Sequence, residues 1–126
     1  MEDAIERPAA ALAAKPSSMD LNRRLAELLG WTELEVRNGF VFGRRPGCQD
    51  EVATPDWLGD WRACGPLQAQ YVRRLRTWSH RAVIGVTPSS PGEHDVVLDR
   101  GQGESADQLL RRSIVAAVIA HLEANR

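Results

Sequence analysis

Apolar positions follow two rhythms along this chain. Leu21, Leu25, Leu28 and Leu29 fall at i, i+4, i+7 and i+8, one stripe of a helix predicted over Asp20–Leu29. Asn22, Arg23, Arg24 and Glu27 take its polar side, and Gly30 follows as a natural left-handed stop. Ser17 with Asp20 resembles a capping box with a shortened acid. A second, stronger helix is predicted over Ser105–Ala124. Ser105 with Gln108 makes a full capping box, and Glu104 suits the positive N-terminal end. Leu110, Ile114, Ala117, Val118 and His121 mark one stripe, which Leu109, Val115, Ile119 and Leu122 widen. Small Ala116, Ala117 and Ala120 permit close approach to a sheet. Arg111, Arg112 and Glu123 are expected on the outside.

The other rhythm is that of strands. Leu34-Glu-Val36-Arg37 and Phe40-Val41-Phe42 flank Asn38-Gly39, a pair suited to a type I′ turn in which both central residues need positive φ. A two-residue turn pairs Arg37 with Phe40 and Val36 with Val41. Gly43–Pro55 reads as a loop. Trp57, Leu58 and Trp61 suit an apolar helical face, and Gly65-Pro66 interrupts it. Either a helix starts near Asp60 and bends at Pro66, or Pro66 opens a new helix. In both cases Leu67, Tyr71 and Leu75 make a stripe ending near Arg76. Arg81–Val86 and Asp95–Arg100 are further strands, joined by a Pro/Ser-rich loop, Thr87–His94. Val83-Ile84 and Val96-Val97-Leu98 are apolar on both sides, which fits strands covered on both faces.

The predicted order is therefore α-β-β-α-β-β-α. It defines an α+β domain over residues 19–126, with an antiparallel sheet of about four strands between helical layers. Residues 1–18, in which Pro8 and Pro16 bracket an Ala-rich run, read as a flexible N-terminal arm.

Composition narrows the function. The chain has 126 residues, 43% apolar and 26% charged, which suits one folded domain. Its net charge of −1 gives no bulk attraction to nucleic acid, although a local patch can still provide one. No apolar run approaches the ~18 residues of a membrane helix. The acidic Met-Glu-Asp-Ala start lacks a signal core, so a cytoplasmic location is expected. Every basic residue except Lys15 is Arg, most simply a mark of a GC-rich genome.

Candidate chemistry is sparse. Cys48, Cys64, His80 and His94 lack the close pairs from which metal sites are built. Ser79-His80 and Ser113 with His121 give no telling nucleophile–base spacing. Asp56 and Asp60 stand at i, i+4, which reads as helix N-terminal acids rather than a carboxylate pair. No cofactor and no catalysis are expected. Arg44-Arg45 is one basic feature; Arg73, Arg74, Arg76 and Arg81, interleaved with Tyr71 and Trp78, is the larger. Trp31 and Trp61 are expected in the core, while Trp57 and Trp78 are candidates for a partner surface.

Three phrases carry a family likeness: Leu21–Trp31, which ends in Gly30-Trp31; Asp60-Trp61-Arg-Ala-Cys64-Gly65-Pro66-Leu67; and the closing Glu104–Leu122 helix. Their order and spacing, over roughly residues 19–124, resemble the phage ABA sandwich domain family of small phage and prophage proteins. The resemblance implies an antiparallel sheet between helical layers and supplies no catalytic residues. It leads to the expectation of a phage or prophage accessory protein in a bacterial host, acting by binding a host or phage protein. Inhibition of a host defence system, in the manner of anti-CRISPR proteins, is the concrete version. A nucleic-acid-binding regulator using Arg73, Arg74, Arg76 and Arg81 is the alternative, an enzyme comes third, and a second copy of the chain is a further candidate partner.

Overall fold

A computed structural model describes residues 18–86 and 95–125. The arm expected over 1–18, apart from Ser18, and the loop Thr87–His94 lie outside the described residues, as does Ser17 with its expected cap.

Helix α1 spans Ser18–Leu28. Leu21, Leu25 and Ala26 are buried, and Gly30 adopts φ +101° as the left-handed stop. Asn22, expected on the polar side, is buried instead, and its Nδ2 donates to Asp56 at 2.9 Å. An amide can enter a core when a fixed acceptor waits there.

Strands β1 (Thr32–Arg37) and β2 (Phe40–Arg44) form the predicted hairpin. Arg37 pairs with Phe40 and Val36 with Val41, and the turn has φ +51° at Asn38 and +80° at Gly39. Both values belong to a type I′ turn. Gly39→Val should therefore cost about 1 kcal/mol or more, because a β-branched residue resists positive φ. A thermal melt that does not move would show that the turn tolerates strain. Part of the expected Gly43–Pro55 loop is a short strand, β3 (Glu51–Ala53), which pairs with β2 through Phe42 and Ala53.

Helix α2 spans Trp61–Tyr71 and contains Pro66, so the helix starts near Asp60 as the first alternative has it, and Pro66 does not open a new one. Asp60 is its N-cap and accepts from the Arg62 amide at 2.9 Å. Trp57 precedes the helix and does not belong to it. The stripe expected to run on through Leu75 to Arg76 stops at Tyr71, because residues Arg74–Thr77 form strand β4. Strands β5 (Arg81–Gly85) and β6 (Val96–Asp99) follow, then helix α3 (Ala106–Ala124) with the predicted Ser105–Gln108 capping box.

The described residues thus hold an α+β fold of order α-β-β-β-α-β-β-β-α. One sheet of about four strands was expected; two antiparallel three-stranded sheets are found, β1-β2-β3 and β4-β5-β6. The layering differs as well. Helix α3 is the middle element, packed on β5 and β6 at one side and on α1 and α2 at the others. Its residues Arg111–Ile119 are all buried, more than two full turns without a solvent face. Ile114, Val115 and Val118 join Leu25, Trp57, Cys64 and Ile84 in one core. Arg111 and Arg112, expected outside, are each only 8% exposed. Among the described residues no helix is long and apolar enough to cross a membrane.

Candidate functional site

The second sheet has two unlike faces, and the period of two decides which residues lie on each. Ala82, Ile84 and Leu98 point inward and are buried beneath α3. The outward positions of β4 are Arg74 and Arg76, opposite Gly85 and Val83. Val83 in turn faces Val97 on β6, and Arg81 faces Asp99. A row Arg76–Val83–Val97 therefore crosses the middle of the outer face.

Ion pairs flank that row. The Arg74 guanidinium donates to Asp95 at 2.5 Å, and Arg81 Nε donates to Asp99 at 2.8 Å. Gly85 leaves room for the first pair, since a Cβ there would push on the Arg74 guanidinium and the Asp95 carboxylate. Between the pairs Val97 is 53% exposed. Trp78, at the end of β4, is 44% exposed, and the Arg76 guanidinium lies 5.5 Å from its ring centre. Arg73 and Arg76 have no carboxylate partner among the described residues. The expectation of two covered faces fails here: among the described residues no helix packs on this side, and an exposed apolar strip remains.

The fold thus gathers Arg73, Arg74, Arg76, Arg81 and Trp78 on one β-hairpin, although sequence had placed the first three at a helix end. Trp57 is not among them. It is 6% exposed and packs in the core, so this conformation does not offer it to a partner. Trp31 and Trp61 pack against the core from part-buried positions. Val97 went unnoticed as a surface residue because an apolar strand residue reads as core by default, and Leu75 because it extends the helical stripe of Leu67 and Tyr71. The signal that could have found Leu75 is the Arg on either side of it, which marks a strand with one wet face.

Among the described residues, two clefts lie near α3. One, of about 360 Å³, runs beneath the β4 edge and is lined by Thr77, Trp78, Ala82, Asp107, Leu109 and Leu110. The other, also about 360 Å³, is lined by Leu21, Asp56, Glu104, Gln108, Arg111 and Arg112. Its charged groups already hold the fold together. Arg112 donates to Glu104 at 2.8 and 3.0 Å and to the Asp99 carbonyl at 2.8 Å. Arg111 donates to the Leu58 carbonyl at 2.7 Å and to Asp107. The Trp61 indole N–H, and after it Arg111, hold Asp107 below the usual carboxylate range.

The remaining chemical candidates separate. Asp56 accepts from Asn22 and from the Gly59 amide at 3.0 Å, whereas Asp60 caps α2, so the two acids do different local work. The Arg62 amide bond, followed by its side chain, holds Asp60 below the usual range. Ser113 is fully buried, and His121 lies edge-to-face with Tyr71 at 6.0 Å. Among the described residues no three His, Cys, Asp or Glu cluster as metal ligands do. Cys48 is exposed and Cys64 is buried, and burial pushes the Cys64 thiol up to about 11. A thiol reagent at neutral pH should label Cys48 promptly and Cys64 only on unfolding. Two equivalents labelled at once in the native protein would contradict that packing.

Comparison with protein-family models, with curated proteins and with solved structures finds no match to this chain.

Proposed function

We propose that this chain is a non-catalytic binding protein that engages a partner protein through the open side of its second sheet. Its biological setting, on this reading, is that of a small phage or prophage accessory protein in the cytoplasm of a bacterial host, with a host defence protein as the target. The observation that carries the proposal is the exposed Val97 and Trp78 beside Arg73 and Arg76, on a sheet whose other face is buried beneath α3 at Ala82, Ile84 and Leu98. Trp and Arg are enriched in interface hot spots, and a polar-rimmed apolar patch marks an interaction surface. The stacked Arg76 and Trp78 also favour a second reading, in which the same hairpin holds single-stranded nucleic acid.

Val97→Glu tests the first reading, since it places a charge in the apolar strip without touching the core. Immobilised wild-type protein should retain a discrete protein from host lysate, and the variant should lose it. Retention that is equal for both overturns the proposal. A shift of labelled single-stranded DNA at ~50 mM salt, lost on Arg76→Glu, would transfer the surface to the second reading.

A further inference from the structure

We infer that the partner supplies an extended acidic segment, which adds as a new strand to the free edge of β4. This rests on the binding-protein reading above and extends the contact from the open face to the adjoining edge of the same sheet.

The argument begins with backbone direction. The Trp78 amide donates to the Arg81 carbonyl at 2.7 Å, and Arg76 stands opposite Val83 in the same register. In an antiparallel ladder such bonds recur at every second residue. The backbone groups of Leu75 and Thr77 therefore point away from β5. The order β4-β5-β6 makes β4 an edge, and among the described residues no strand covers it. An open edge of this kind is a template for another strand.

Side chains then specify the incoming strand. On the outer face it would lie beside Arg76, which has no carboxylate partner among the described residues. On the inner face it would lie beside Leu75, 36% exposed, and over the groove lined by Trp78, Ala82, Leu109 and Leu110. Asp107 also borders that groove and repels an acid there. Successive residues of a strand alternate between faces. The fitting segment thus alternates acidic with apolar residues, the acids outward and the apolar side chains in the groove. A second copy of β4 fits poorly, because it brings a second arginine strand and no carboxylate to Arg76.

The experiment uses fluorescein-labelled eight-residue peptides and fluorescence polarisation. One peptide alternates Glu with Val, and its control alternates Lys with Val. The Glu peptide should bind the full chain at least about tenfold more tightly than the control. Thr77→Pro should weaken it by about tenfold or more. That substitution removes an outward amide and spares the ladder to β5, so the thermal melt should stay in place. Trp78→Ala should weaken binding through the groove. No polarisation change up to about 1 mM Glu peptide overturns the inference, as does equal binding of the two peptides. So does a sedimenting dimer that Thr77→Pro dissolves, which would give the edge to a second copy. If Val97→Glu still loses the lysate partner while Thr77→Pro keeps it, the open-face reading stands and strand addition falls.

Discussion

Arg112→Ala is expected to destabilise the fold by about 3–5 kcal/mol, the range for removing one partner of a buried ion pair. The Arg112 and Glu104 side chains are only 9% and 15% exposed, and they share two hydrogen bonds. The substitution takes the only guanidinium from the Glu104 carboxylate among the ion pairs of the described residues, leaves the Gly101 amide donating to it at 2.7 Å, and removes the donor to the Asp99 carbonyl at the end of β6. Chemical denaturation of the single variant and of Arg112→Leu/Glu104→Leu separates the two components. The double variant should recover much of the loss, because apolar replacement of a buried pair is often neutral. A single variant that unfolds at the wild-type midpoint would put Arg112 in solvent.

Ile114→Ala should cost roughly 2–5 kcal/mol. Ile114 has no exposed surface and sits where α3 meets its neighbours on several sides, so the cavity has little room to collapse. A domain of this size holds about 5–15 kcal/mol in all, so this change removes a large fraction of it. A loss below about 1 kcal/mol, measured by the same denaturation, would mean that the neighbours close over the gap.

Local signals in the sequence were reliable where chemistry is local. Asn38-Gly39 encodes its own turn, Ser105–Gln108 its own cap and Gly30 its own stop, and each stands where expected. The family likeness led to one sheet between helices, and the arrangement of two sheets, the first packed on α1 and the second on α3, departs from it. Strand β3 was missed because three residues are too few to show a period, and β4 because Leu75 falls four residues after Tyr71 and so imitates another helical turn. Which faces are wet is a property of the assembled fold, and there charge misled. Arg111 and Arg112 read as exposed, yet Asp107 one turn earlier and Glu104 at the helix start were available to pair with them. Of the candidate site, the Arg set and Trp78 were legible as a cluster. The open sheet face that unites them was not, since nothing local says which strands lack a cover.

Helix α3 is the last described element to leave the ribosome and the one on which α1, α2, β5 and β6 all pack. Until Ser105 and the turns after it emerge, α1, α2 and the second sheet have no common surface to bury. The Arg24–Glu123 ion pair, spanning 99 positions, joins the first described helix to the last. Nascent chains halted before Ser105 should therefore be protease-sensitive throughout. Protection should appear in one late step once the helix is free of the exit tunnel, in place of gradual growth along the chain.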